Sequence, residues 1–454
     1  MKNLTEGNIY KNFLLFAIPM ILSSIISQAT ATINTAVAGA YLFEEGLAAI
    51  GATSAMNTFI SSVFWGYNMG VGTYMAKLYG AGKNKQIKSA MYNNLLWMSV
   101  AVLAVSAVLI VFRYPLYRLL RVDPQIIEQT DNYFTIITAG KIFPLLNSNF
   151  VCALTAMGGS AFPFAVSLVF AVLGVFSNIF SVTVLDMGVA GIAVTSVVSS
   201  ALATVVYFLK FKSNLRKLQV HKEKVKLSLG ETREIFRYSL PICAQQGILY
   251  FVGVIMSAVI NANGAAVTAG YVIVEKVYNL SASVFTNASK TLSNYSAQAA
   301  GAGKYKQIRK GLKVGALQGF VLTVPLIIIT VVFAEPVCGF FLPKDADSSA
   351  LDFAILFARY YAPFMLVYVA TNLFHSLFRG LAEMRSLLIS SMSGSVVRLV
   401  VSMICIRLVG AEGIFIGWVI SWAADLVICI YLYQRKYKTS ELLRQHLQKK
   451  ESVK

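Results

Sequence analysis

Five charged side chains, the acids Glu275 and Asp425 and the bases Lys141, Lys276 and Arg398, stand inside long apolar stretches of the chain. At mid-bilayer depth each would cost at least about 2.5 to 3.5 kcal/mol on insertion scales, so each is a functional candidate. Glu275 falls about ten residues into its stretch, roughly 15 Å along a helix and near the middle of a hydrocarbon layer. A carboxylate there can take up a proton or Na⁺ and, once neutral, change the cost of exposing or closing a polar cleft. Lys276 is its chain neighbour but projects about 100° away around a helix, so a partner for Glu275 must come from another span. Asp425 lies at similar depth in the last stretch, with Arg398 as its expected partner. The two form either a buried ion pair between adjacent helices or a second ion-coupling site. Lys141 has no acid at comparable depth in its half of the chain. It either snorkels to an interface or supplies a fixed cation inside the bundle.

Uncharged polar residues recur in the same stretches: Gln28, Asn34, Asn57, Asn68, Asn147, Asn149 and Asn178. They suit a polar-lined substrate cleft and equally suit hydrogen bonding between helices. Trp65, Tyr67, Tyr250 and Tyr278 could form stacking walls for a planar cation, or pack in a core or against lipid. Gln28, Asn34, Asn57, Asn68, Lys141, Asn147, Asn178 and Tyr278 are the cleft candidates. Glu275 and Asp425 are the ion-coupling candidates.

The elements that must position these groups follow from composition. Of 454 residues, 57% are apolar and only 13% charged, and mean hydropathy is +0.66. Apolar runs long enough to cross a layer of about 30 Å recur from Phe13 to Tyr433. The runs are continuous rather than alternating, which excludes barrel strands and makes the spans helical. Twelve are expected, at about 13–40, 46–76, 90–112, 131–157, 162–185, 188–209, 235–261, 265–297, 311–334, 352–378, 386–408 and 412–434. Pro144, Pro325 and Pro363 fall inside spans and should bend them. The N-terminal stretch is too long for a signal-peptide core and is expected to remain as the first span.

The net charge of +19 is explained by placement. Bases collect in alternate loops, around Lys83–Lys88, Lys210–Lys226 and Lys304–Lys313, and in the tail from Arg435. These loops and both termini are therefore expected on the cytoplasmic side of the cell membrane. No separate basic and aromatic surface is left over for nucleic acid. The five cysteines have no paired spacing, so neither a zinc site nor a disulfide framework is indicated. There is no GxxxxGK[ST], HExxH or GxSxG motif, which argues against ATP hydrolysis by this chain and against an enzyme.

An internal repeat organises the spans. GAGKNKQIK from Gly80 matches GAGKYKQIR from Gly301, a displacement of 221. LLFAIP ending at Pro19 answers FRYSLP ending at Pro241, FRYP ending at Pro115 answers FAEP ending at Pro336, and GVAG from Gly188 answers GAEG from Gly410. A six-helix unit therefore occurs twice, and because six is even both copies enter from the same side. The expected domains are an N-terminal lobe 1–209, a basic cytoplasmic linker 210–232, a C-terminal lobe 233–434 and a basic tail 435–454. Such a duplication suits transport by alternating access, in which one bundle rocks against the other.

Several motifs, weak singly but ordered and duplicated, carry a resemblance. They are the early prolines of spans one and seven, NTAVAG from Asn34, GVGTYMAKLYGAGK from Gly70 with its partner before Gly301, GVAGIAVTSVVS from Gly188, and LFRGLAEMRS from Leu377. Over essentially its full length the chain resembles the multidrug and toxic compound extrusion (MATE) transporters of the flippase-like superfamily. The resemblance implies an all-α membrane protein with twelve transmembrane helices in two pseudo-symmetric six-helix bundles arranged as a V. It also implies export of small amphipathic, often cationic, compounds in exchange for H⁺ or Na⁺, without a cofactor and by a monomer. The alternative is a flippase for lipid-linked precursors, for which Lys141, Lys276 and Arg398 would hold a pyrophosphate. In one respect the sequence departs from its relatives. Similar transporters commonly carry an acid in the first span where this chain has Asn34, and many carry another in the fifth where it has Asn178. Amides can coordinate through oxygen but do not titrate in the physiological range, which makes proton coupling through this lobe doubtful.

Overall fold

The computed structural model describes residues 3–225, 227–342 and 348–438. Lys226 and the tail from residue 439 onward, both used in the charge reading, lie outside the described residues.

Every expected span is helical. In the first repeat the helices are α1 (Ile9–Tyr41), α2 (Phe43–Gly80), α3 (Asn84–Val111), the short α4 (Arg113–Leu119), α5 (Ile127–Ala139), α6 (Ile142–Ala156), α7 (Ala161–Thr183) and α8 (Gly188–Lys217). In the second they are α9 (Leu229–Asn261), α10 (Ala265–Gly301), α11 (Tyr305–Val332), the short α12 (Ala334–Gly339), α13 (Ser348–Tyr361), α14 (Met365–Gly380), α15 (Met384–Val409) and α16 (Gly413–Leu432).

The repeat extends to backbone angles. Gly82 and Gly303 both turn left-handed, with φ of 68° and 71°. The residues after them, Lys83 and Lys304, open α3 and α11 with φ, ψ of −81°, 55° and −84°, 53°. Only glycine enters that region without penalty, which explains why GAGK survives in both copies. Spans four and ten are each interrupted. Gly140 and Lys141 separate α5 from α6, and a 3-10 turn at Ala362–Phe364 separates α13 from α14. At Gly140 a Cβ would sit 2.3 Å from a methyl of Val197 on α8, so only glycine permits this approach. Pro144 stands in the first turn of α6, where a missing N–H costs nothing. Pro325 is accommodated inside a continuous α11.

Among the described residues, nine helical stretches satisfy a length-and-hydropathy criterion for membrane spans. The difference from twelve has a cause. Two adjoining spans, α15 and α16, are joined into one stretch, and α2 and α10 are not among the nine. These two are repeat counterparts with polar interiors. On α10, Ser281, Ser283, Asn287, Ser289, Thr291, Ser293, Ser296 and Gln298 are all buried. Helices shielded by their neighbours need less lipid-compatible surface.

Two compact units result. Among the described residues, the first contains Asn3 and those between 18 and 244, the second those between 4 and 17 and from 245 to 438. In the first unit the start of α9 docks on α2: Tyr74 donates to Glu231 at 2.8 Å, Lys77 donates to Tyr238 Oη at 3.0 Å, and Gly70 leaves room for the backbone of Ser239. The segment after α8 is fastened to α3. Buried Lys88 donates to the carbonyls of His221 (2.8 Å) and Glu223 (2.6 Å), while Lys85 pairs with the Glu223 carboxylate at the surface. In the second unit the start of α1 makes the corresponding contacts with α10 and α11. Phe13 meets Tyr295 edge to face at 5.2 Å, and the Leu4 N–H donates to Gln298 Oε1 at 2.9 Å.

Candidate functional site

In the first unit α1, α6, α7 and α8 surround a cavity of about 470 Å³, within the range of small-molecule sites. Ser27, Thr30, Asn34, Asn147, Ser167 and Ser200 give it hydroxyl and amide groups, and Ile26, Val151, Phe170 and Tyr207 give it apolar and aromatic faces. None of its lining residues carries a formal charge. Their positions are held by hydrogen bonds between helices. The Asn178 amide on α7 donates to Asn34 Oδ1 on α1 at 3.0 Å, and the Thr195 hydroxyl on α8 donates to Asn178 Oδ1. Asn147 donates to the Ser200 carbonyl at 3.0 Å and accepts from Thr204 at 2.9 Å, tying α6 to α8.

Asn34, Asn147 and Asn178 are thus gathered at or beside one chamber, but the remaining candidates of this unit are not. Lys141 Nζ donates to the backbone carbonyl of Asn57 at 3.2 Å and to its side chain at 3.4 Å. They border a separate space of about 10 Å³, about the room of one water. The break between α5 and α6 puts Lys141 there, and a carbonyl meets its charge instead of a carboxylate. Asn68 and Asn149 are buried and bonded to each other at 2.9 Å, with Asn68 also donating to the Leu145 carbonyl at 3.2 Å. Their role is to join α2 to α6. Gln28 is exposed on α1 and does not line the chamber.

The second unit corrects one expectation. Asp425 does not pair with Arg398. Its Oδ1 lies 3.2 Å from His375 Nε2, and both side chains are only about an eighth exposed, at 13% and 12%. Arg398 instead donates through Nη2 to the Tyr271 hydroxyl at 3.1 Å and lies 4.4 Å above the Trp418 ring. The physical reason is position along the helices. Asp425 and Trp418, seven residues apart, share a face of α16 but lie two turns apart, and Arg398 is level with Trp418 while Gly394, one turn before it on α15, meets Asp425. Glu275, one turn from Tyr271 on α10, lies within electrostatic range of the Arg398 guanidinium of α15. Tyr278 belongs to an aromatic cluster, stacked on Trp422 at 6.0 Å and edge-on to Trp418 at 4.9 Å. Tyr67 is likewise packed, edge to Phe236 at 6.4 Å.

Sequence reasoning passed over His375 and Thr195. For His375 the signal was present: it is an ionisable residue inside the tenth span, the criterion that selected Lys141. Thr195 carries no such signal, since a hydroxyl inside a helix ordinarily bonds its own backbone.

Two copies of six apolar helices, each unit enclosing its own polar cluster, define a duplicated helical membrane carrier. The chain matches the MatE family model over residues 19–180 and 241–404, one match in each repeat. It therefore belongs to the MatE family, the multidrug and toxic compound extrusion transporters. It is similar to the probable multidrug resistance protein YoeA of Bacillus subtilis, at 21% identity over 75% of each chain. It is also similar to the probable multidrug resistance protein NorM of Thermotoga maritima, at 21% identity over 97% of this chain and 96% of the other. Among solved structures, the bent form of the Vibrio cholerae MATE transporter VcmN superposes with a TM-score of 0.87 at 17% identity, covering 96% of this chain and 98% of that one. A MOP superfamily transporter from Pyrococcus furiosus, described as having a binding pocket of reversed polarity, gives 0.86 at 16% identity over 96% and 98%. The fold is thus that of twelve transmembrane helices in two pseudo-symmetric bundles.

Proposed function

We propose that this chain exports small amphipathic compounds, organic cations among them, in exchange for H⁺ or Na⁺ by alternating access. The observation that carries the reading is the uncharged chamber of the first unit. Its amide and hydroxyl oxygens can accept from a ligand's polar groups, while Phe170 and Tyr207 offer aromatic faces for a weakly hydrated cation. Coupling is assigned to the carboxylates Glu275 and Asp425 of the second unit, because the amides of Asn34 and Asn178 have no proton to exchange in the physiological range. The basic loops and both termini face the cytoplasm of a plasma-membrane protein, and the carrier acts as a monomer without a cofactor.

The flippase alternative asks for cations gathered to hold a pyrophosphate. Lys141 is occupied by Asn57 beside a space too small for a phosphate, and Arg398 is occupied by Tyr271 and Trp418. Neither arrangement favours that reading.

The test is efflux of a fluorescent organic cation from proteoliposomes under separately imposed Na⁺ and pH gradients. Export driven by one of them is expected. Transport that ignores both gradients, or that requires a lipid-linked substrate, overturns the proposal.

A further inference from the structure

In the second unit three helices converge on a buried titratable cluster that the family assignment does not account for. His375 comes from α14, Ser390 and Gly394 from α15, Asp425 and Cys429 from α16. His375 Nε2 lies 3.0 Å from Ser390 Oγ and 3.2 Å from Asp425 Oδ1. The Ser390 hydroxyl donates to the Leu387 carbonyl at 3.2 Å, which leaves its oxygen facing the imidazole as an acceptor. With two acceptors before it, Nε2 carries a hydrogen. The Cys429 thiol also donates to Asp425 Oδ1, at 3.5 Å. Gly394 completes the cradle. A Cβ there would lie 3.0 Å from Asp425 Cβ and 3.2 Å from its Oδ2, so the carboxylate occupies the space a side chain would fill.

We infer that His375 and Asp425 together form a proton-binding site, and that the proton it takes up is the coupling ion for export. This inference rests on the exporter reading above. Because Nε2 is held as a donor, the proton enters and leaves at Nδ1, which has no hydrogen-bond partner among the described residues. Uptake of one proton there converts a neutral imidazole beside a carboxylate, net charge −1, into an imidazolium–carboxylate pair of net charge 0. In a low-dielectric bundle the unpaired charge is the costly state, so release is confined to conformations in which water reaches the site. The pair thereby links protonation to conformation, as ion-coupled transport requires.

The other charged and titratable groups nearby are engaged elsewhere. On α15, Arg398 is turned to Tyr271 and Trp418, and Glu275 of α10 lies within electrostatic range of that guanidinium. Tyr278 of α10 and Tyr361 of α13 pack on Trp422, three residues before Asp425. Arg379 follows His375 by one turn on α14. Neither α10 nor α11 donates a hydrogen bond to His375 or Asp425 among the described residues.

The test uses the full chain in proteoliposomes with ethidium as the probe. For His375→Gln, accumulation driven by a pH gradient is expected to fall at least roughly tenfold, while gradient-free counterflow falls no more than about twofold. Retained pH drive in this variant overturns the inference and leaves the exporter reading standing. So does a wild-type chain driven by Na⁺ and indifferent to pH. Loss of counterflow along with pH drive in a monodisperse variant assigns His375 a structural role and likewise overturns it. A wild-type chain indifferent to both gradients removes the exporter reading as well. If His375→Gln does not fold, Asp425→Asn keeps an acceptor for Nε2 and removes the charge. The same split is expected of it, and unaltered pH drive overturns the inference.

Discussion

The side-chain amide of Asn178 donates to Asn34 Oδ1 at 3.0 Å, joining α7 to α1 beside the chamber of the first unit. The Thr195 hydroxyl completes the set from α8. A fully amide and hydroxyl network satisfies its members at any physiological pH, so this wall keeps its geometry while carboxylates elsewhere titrate.

Conversion of either amide to an acid should change that. In Asn34→Asp the amide of Asn178 still has an oxygen to donate to, but the chamber gains a group that can bind an ion. We expect initial efflux rates, measured across pH and Na⁺ concentration, to acquire a new ion dependence in Asn34→Asp or Asn178→Asp. Unaltered ion dependence in both would leave the amide pair no part in coupling.

Glu275→Gln removes a carboxylate in the first third of α10 that lies within electrostatic range of Arg398. Efflux driven by an ion gradient is expected to be abolished while expression is kept, as judged by membrane yield. Gradient-driven transport retained in this variant would exclude Glu275 as a coupling group.

The two GAGK turns allow a matched stability test. Nothing lies within 4 Å of a Cβ built on Gly82 or Gly303, so substitution there is opposed by backbone conformation alone. Gly82→Ala and Gly303→Ala should each destabilise by about 1 to 2 kcal/mol, and by similar amounts, because their φ angles agree. Thermal melts of the two purified variants in detergent would check this.

Lys88 anchors the segment between the repeats through two backbone carbonyls. Lys88→Met deletes both charge-assisted bonds, with an expected cost of about 2 kcal/mol. Tryptic cleavage at Lys222 and Lys224 should accelerate. An unchanged digestion pattern would show that the segment is held by other contacts.

Gly140→Ala forces a methyl against Val197, where no room exists. Overpacking of this kind costs about 1 to 3 kcal/mol. Val197→Ala in the same chain is expected to recover part of it, measured as the difference in melting temperature between the single and double variants.

Much of the architecture was legible in the chain itself. Apolar runs bounded by glycine, proline and charge marked all twelve spans, the polar α2 and α10 included, and the 221-residue displacement exposed the duplication because both copies need the same turns. Gly82 and Gly303 show why: a left-handed turn constrains the residue type locally, without reference to anything distant. The interruptions of spans four and ten were less visible, since Gly140 and Pro363 reveal a possible kink but not the 3-10 turn or the approach of Val197.

Which side chains meet was decided by the tertiary structure alone. Asp425 and Arg398 have matching charges and similar depth, yet Asp425 meets His375 and Arg398 meets Tyr271 and Trp418. Approximate depth follows from position along a helix, which sequence supplies. Partnership follows from which helices pack together and from their register along one another: Arg398 and Gly394 share a face of α15, yet one turn of about 5.4 Å sets Gly394 against Asp425 and Arg398 against Trp418. That is why the chain could announce a buried acid in its last span, and why only the packed bundle could name the histidine beside it.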